Sequence, residues 1–217
     1  MRAAVLCVLT LLIGTAQAGA ITNGSFEDGF TGWTQSGQVS IVSGYTVSSI
    51  GSTHNLSATD GDKFVIMFAG NSVTSLISDA FYAFAGSELT FDWLFHARDY
   101  LPFNDYVLAL LLDGSPVETK QLASVSSVGE FGFTGWNTDS FFIPVDGSYQ
   151  WAAECVNLKD SVNDSVCGFD NVSMTMPGTG TVSTLGDAPL MAIGGLVLIG
   201  FARVREKFGS RRQLGDT

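Results

Sequence analysis

The sequence predicts an all-β fold for its central segment, residues 19–176: a two-sheet antiparallel jelly-roll sandwich. Three observations carry that prediction. Between Gly19 and Met176, short runs rich in Val, Phe, Tyr, Trp and Thr are punctuated by Gly, Ser and Thr. No long segment there repeats its apolar residues with the helical period. Within Ser87 to Phe95, Leu89, Phe91, Trp93 and Phe95 alternate with Thr90, Asp92 and Leu94, which puts one set on each face of a strand.

Taken in chain order, the first element is an address. Met1 and Arg2 precede an apolar run from Ala3 to Ile13 and then Gly14-Thr15-Ala16-Gln17-Ala18, the pattern of a secretory signal peptide over residues 1–18. Strands are expected at Val39–Tyr45, Lys63–Phe68, Ser75–Tyr82, Glu88–His96 and Asp105–Asp113, then at Pro116–Leu122, Trp136–Ile143, Ser148–Cys155 and Gly168–Met174. Asp113-Gly114 and Asp146-Gly147 each read as hairpin turns, because Asp-Gly suits a tight turn with positive φ. Nine strands at this spacing fit two packed sheets that bury their inner faces. A Gly/Thr/Ser-rich linker follows over 177–187, then an uncharged apolar stretch over 188–202 with no polar stripe, expected to enter a membrane as a helix. The tail, 203–217, carries Arg203, Arg205, Lys207, Arg211 and Arg212, which favours retention on the cytoplasmic side.

Residues 19–176 hold 18 acids against four bases, a net charge of −14. With no Lys/Arg cluster to neutralise phosphates, a nucleic-acid partner is excluded, whereas divalent cations suit the excess. Cys7 leaves with the signal peptide. Cys155 and Cys167 then form an even pair in an oxidising compartment, and one disulfide between them is expected. The alternative is two free thiols in neighbouring strands.

The C-terminal layout, Met176-Pro177-Gly178-Thr179-Gly180 followed by a Gly-containing apolar helix and an Arg-rich end, resembles the PEP-CTERM sorting tails of bacterial surface proteins. That resemblance implies an exosortase-like processing enzyme as a partner and a chain membrane-anchored or released at the bacterial cell surface. The Pro-Glu-Pro triplet of that class is absent. Two further motifs, Asn23-Gly24-Ser25-Phe26-Glu27 with Gly29-Phe30-Thr31-Gly32-Trp33, and Gly168-Phe169-Asp170-Asn171-Val172-Ser173, resemble the opening and closing strands of galactose-binding-like jelly rolls. Many carbohydrate-binding modules share that fold. By analogy with its calcium-bearing members, Glu27 and Asp170 would supply side chains to a structural calcium ion, with Asp60 or nearby carbonyls of the turn Thr59-Asp60-Gly61-Asp62-Lys63 as further ligands, since calcium accepts about six to eight oxygens in irregular cages. The competing reading makes Glu27 and Asp170 capping or edge residues.

Asp99, Asn104, Asp105, Asp160 and Asp164 form the densest polar set, in two loops that resemble paired loops of the same surface proteins. They read as turn formers or as a second cation or sugar-hydroxyl site. Trp93 and Trp151 fit the core, while Trp33 and Trp136, each preceded by Thr-Gly, are the candidates for stacking on a sugar ring. His54 and His96 lack the Cys/His company of a zinc site, and no Gly-x-Ser-x-Gly elbow occurs. The function expected is therefore an exported, surface-anchored, non-catalytic protein that binds extracellular polysaccharide or builds a matrix. A secreted glycan-acting hydrolase and a ligand-free coat protein are the alternatives.

Overall fold

The computed structural model describes residues 19–70, 73–159 and 162–177. The expected signal peptide, the linker from residue 178 onward, the 188–202 helix, the basic tail and Asp160 lie outside the described residues. Among the described residues no helix is long and apolar enough to cross a membrane.

Among the described residues there are thirteen strands. They are β1 (Trp33–Ser36), β2 (Gln38–Val42), β3 (Tyr45–Ser49), β4 (Ser52–Leu56), β5 (Phe64–Phe68), β6 (Val73–Ser78) and β7 (Phe81–Ala83). These are followed by β8 (Glu88–His96), β9 (Tyr106–Leu112), β10 (Pro116–Ser124), the one-turn helix α1 (Val125–Val128), β11 (Asn137–Phe142), β12 (Gly147–Val156) and β13 (Val166–Thr175). One antiparallel sheet runs β1-β6-β12-β9-β10, with β7 joined to the start of β12. The other runs β11-β8-β13-β5-β2.

The sheets face each other across one core, as the alternation predicts. Leu89, Phe91, Trp93 and Phe95 of β8 point inward with Val65, Met67 and Phe169, and meet Leu76, Leu111, Trp151 and Ala153 of the opposite sheet. Trp151, fully buried, touches the rings of Trp33, Phe91 and Phe169. The predicted bridge is formed: Cys155 of β12 is disulfide-bonded to Cys167 of β13, with Cα atoms 6.0 Å apart, so it joins the two sheets through the core.

Several boundaries depart from the sequence reading. The run Val39–Tyr45 is divided between β2 and β3, because Ser43-Gly44 releases the chain from the sheet. Ser75–Tyr82 is likewise interrupted at Asp79-Ala80. Asp113-Gly114 does close the β9–β10 hairpin, with Gly114 at φ 96°. Asp146-Gly147 closes none: β11 pairs with β8 and β12 with β7, so this turn carries the chain between sheets.

The β3–β4 hairpin, unforeseen as a unit, lies over the outer face of the β8 sheet. Its sequence is mostly Ser, Thr, His and Asn, and its outer side is held by polar cross-strand pairs such as Thr46–Asn55 (2.8 Å) and Ser48–Thr53 (3.1 Å). Its inner side presents Val47 and Leu56, which pack on Phe64, Ile66, Leu94 and Val166 in a second, smaller core.

Candidate functional site

The two terminal motifs meet. Val172 donates its N–H to the Gly24 carbonyl (3.0 Å), an approach so close that a Cβ at Gly24 would lie 1.8 Å from the Val172 oxygen. Glu27 lies in the turns preceding β1, while Asp170 is fully buried at the β-bulge of β13. Both carboxylates reach the turn 59–63. Asp170 Oδ2 accepts the N–H groups of Thr59 (2.7 Å) and Asp60 (3.0 Å) and the Thr59 hydroxyl (3.1 Å), and its Oδ1 accepts Asn171 N–H (2.8 Å). Glu27 Oε1 accepts the N–H groups of Asp62 and Lys63, each at 2.7 Å. The Lys63 ammonium donates to the Glu27 carbonyl (2.6 Å).

This arrangement does not fit the calcium expected of Glu27, Asp60 and Asp170. A cation needs oxygens converging on one point, whereas here amide hydrogens converge on the carboxylates. Asp60 contributes its backbone N–H. Among the described residues no three acidic, His or Cys side chains are grouped to hold a metal. The carboxylates instead staple the turn. Burial pushes the Asp170 carboxyl above its ordinary range, and the bonds from Asp60, Thr59 and Asn171 only partly oppose it.

Described residues of the loops after β8 and after β12 are hydrogen-bonded to one another, with Asp99, Asp105, Asn157 and Ser165 buried. Asp105, fully buried, accepts Leu158 N–H (3.0 Å) and Ser165 N–H (3.3 Å), tying one loop to the other. Asp99, 1% exposed, accepts Tyr100 N–H (2.9 Å). Asn104 accepts Ser126 N–H (2.7 Å) and Asp164 accepts the Asn157 side-chain amide (3.3 Å). Through these bonds Asp99 Oδ1 and both Asp105 oxygens satisfy loop amides that would otherwise be orphaned in the interior. Trp33 is corrected as a stacking candidate. It is 7% exposed, its ring lies against Phe26 and Trp151, and its Nε1–H donates to the Asn23 carbonyl (3.0 Å). Trp136 is half-buried, edge-on to Phe64 with Nε1–H on the Ser57 carbonyl (3.0 Å).

What those inward-turned acids do is present their neighbours. A cleft of about 460 Å³ opens beside the tip of the β3–β4 hairpin. Ser48, Ser49 and Ile50 form its hairpin wall; Arg98 and Tyr100 come from the loop after β8; Phe131 and Asn163 close it. Tyr100 is 41% exposed, with its ring 5.5 Å from Phe103 and 5.9 Å from Phe131. Asp99 holds both neighbours, since its side chain accepts Tyr100 N–H and its carbonyl accepts Phe131 N–H (3.0 Å). Phe131 has φ 56°, a left-handed conformation that costs a bulky residue about 1–3 kcal/mol and tends to mark ligand clamps. A second cleft, about 300 Å³, lies on the β4 side of the hairpin and is lined by His54, Phe133 and Trp136 among others.

Beneath the hairpin, His96 is fully buried, and neither ring nitrogen has a hydrogen-bond partner among the described residues. Its ring lies 5.6 Å from His54 and 5.6 Å from Phe133. Burial, then the charges of His54 and Arg98, push its pKa down to about 4.

Sequence reasoning passed over Tyr100, Phe131 and Arg98. The available signal was a solvent-facing aromatic beside a base in a loop, and attention to the acids in that loop concealed it.

No family model matches the chain, and no curated protein matches it. Among solved structures it is similar to TmCBM61 in complex with β-1,4-galactotriose, at 15% identity, covering 72% of this chain and 97% of that one, with a TM-score of 0.45. It is similar also to a family 16 carbohydrate-binding module, at 16% identity over 71% of this chain and 98% of that one, with a TM-score of 0.40. A third likeness is to the K3 cleaved adhesin domain of Lys-gingipain from Porphyromonas gingivalis, at 17% identity over 73% and 99% of the two chains, with a TM-score of 0.44.

Proposed function

We propose that the chain is an exported, surface-anchored, non-catalytic protein that binds extracellular polysaccharide in the cleft between the β3–β4 hairpin tip and the loop after β8. The observation that carries the reading is the Tyr100–Phe131 pair, half open to solvent at a cleft of about 460 Å³, with Phe131 in a left-handed backbone conformation. The volume falls in the range of about 300–1,000 Å³ common for ligand sites, and an aromatic face offers a sugar ring an apolar surface while Ser and Asn side chains address its hydroxyls.

The ends supply the location in this proposal: the signal peptide over 1–18 exports the chain, and the tail beyond 177, processed by an exosortase-like enzyme, retains it at the surface. A glycan array combined with a hydrolysis screen on the full-length chain tests the function. Binding without product, weakened about tenfold by Tyr100→Ala with the melting temperature preserved, is expected from the loss of one stacking face. Catalytic product formation, or undiminished binding by Tyr100→Ala, overturns it.

A further inference from the structure

We infer that the cleft selects acidic polysaccharide, a chain bearing uronate carboxylates, through the guanidinium of Arg98; this rests on the cleft being the glycan site. The reason lies in where the four bases of the folded segment go. Lys63 donates to the Glu27 carbonyl. Lys120 pairs with Asp139 at 2.8 Å and reaches Glu118 and the Ser140 carbonyl. Lys159 is exposed on its loop. Arg98 alone is half-buried in a cleft wall, and it makes no ion pair or hydrogen bond among the described residues.

In a segment with 18 acids, an unpaired half-buried guanidinium is a strong exception. Partial burial strips water from its five N–H donors, and that cost is recovered only when a planar acceptor arrives. Three acids of the paired loops accept groups other than Arg98: Asp99 takes Tyr100 N–H, Asp105 takes Leu158 and Ser165 N–H, and Asp164 takes the Asn157 amide. Beside Arg98, the Tyr100 ring, Asn163 and the Ser48 and Ser49 hydroxyls meet the rest of a pyranose. Repulsion from the remaining acids is long-ranged and screened over about 8 Å at physiological salt, whereas a guanidinium–carboxylate fork acts at contact.

The test measures binding of the full-length chain to oligomers of galacturonate, glucuronate and mannuronate, and to the same oligomers after carboxyl reduction, which preserves length and linkage. At least one acidic oligomer is expected to bind about tenfold tighter than its reduced partner, about 1.4 kcal/mol. Arg98→Gln is expected to erase that difference by weakening the acidic oligomer about tenfold more than its reduced partner, and Tyr100→Ala to weaken both members of a pair alike. Equal affinity for acidic and reduced oligomers in every pair overturns the assignment of Arg98 and leaves the polysaccharide reading standing. Equal weakening of both members by Arg98→Gln also overturns it, because the arginine would then act on the fold of the cleft. Absence of binding to every oligomer, acidic and reduced, on an array that includes neutral glycans removes both readings together.

Discussion

Acidification acts on this protein through His96, and the direction and size of the effect follow from its surroundings. In the unfolded chain an imidazole takes up its proton near pH 6.5, while in the folded protein His96 resists protonation until about pH 4. It is buried; His54 faces it from β4 at 5.6 Å, Arg98 follows two residues on, and Phe133 covers it from the loop before β11. Between pH 6.5 and about 4 the unfolded state therefore binds more protons than the folded one, so stability falls as pH falls through that window and is unaffected by this group above it. A gap of about 2.5 units at about 1.36 kcal/mol each gives a loss of about 3 kcal/mol, or roughly 6–12 °C in melting temperature for a domain of this size. The assay is urea denaturation at half-unit pH steps for the wild type and His96→Leu. Carboxylates titrate in both proteins, so only the difference between the profiles reports His96, and the variant's curve should be flatter by about 3 kcal/mol across the window. Parallel profiles refute the reasoning, as does an NMR titration in which folded His96 protonates near pH 6.5.

Replacing Cys155 and Cys167 together by Ala should cost about 3 kcal/mol, the chain-entropy value for a loop of 12 residues' separation, read as a lower guanidinium midpoint; an unchanged midpoint contradicts it. Asp170→Ala leaves the N–H groups of Thr59, Asp60 and Asn171 without their acceptor and should destabilise by roughly 3–5 kcal/mol, at about 1–3 kcal/mol for each orphaned buried donor less relaxation. Because Asp170's folded pKa is raised, this group by itself makes the protein less stable as pH rises through its titration, opposite in sign to His96; Asp170→Asn should remove that slope in the same urea series. Calcium and chelator at matched ionic strength should give superimposable melts, since amides already occupy those carboxylates, and a calcium-specific rise would restore the cation reading. Gly24→Ala, with no room against the Val172 carbonyl, should lower stability by at least about 2 kcal/mol, whereas Gly114→Ala meets no neighbour and pays only for its positive φ. Equal melting temperatures for the two glycine variants would show that the Gly24 contact is not a constraint.

The parts of the fold that were legible are those where one physical term dominates. The inward packing of Leu89, Phe91, Trp93 and Phe95 writes their alternation directly, and β8 spans Glu88–His96, the strand expected there. Setting Cys7 aside leaves Cys155 and Cys167, and they are joined. The β3–β4 hairpin was illegible because only Val47 and Leu56 are buried in it; the rest is Ser, Thr, His and Asn held by hydrogen bonds across the pair, which carry no hydropathy signal. Without the hairpin the cleft has no wall, and Arg98 and Tyr100 read as ordinary loop residues. The burial of Asp99 and Asp105 was hidden for the complementary reason. Composition counts carboxylates without showing whether their oxygens face solvent or a backbone amide. Trp33 followed the same logic, since its burial depends on Phe26, itself at φ 59°, folding back beneath it.

The register of β13 on β8 has a mechanical consequence. Val166 lies opposite His96 and Thr175 opposite Glu88, so the cleft beyond His96 and the exit toward the C-terminal tail stand at opposite ends of one strand pair. Under the proposed function, with glycan at one end and an anchor at the other, a pull on the protein would be delivered lengthwise along β13. That strand is flanked by β8 and β5, and loading along its axis shears its ladder bonds together instead of peeling them in turn. Cys167, near the loaded strand's start, shares the tension with β12 across the core. A surface protein built this way would hold its ligand under flow while the sandwich keeps its form.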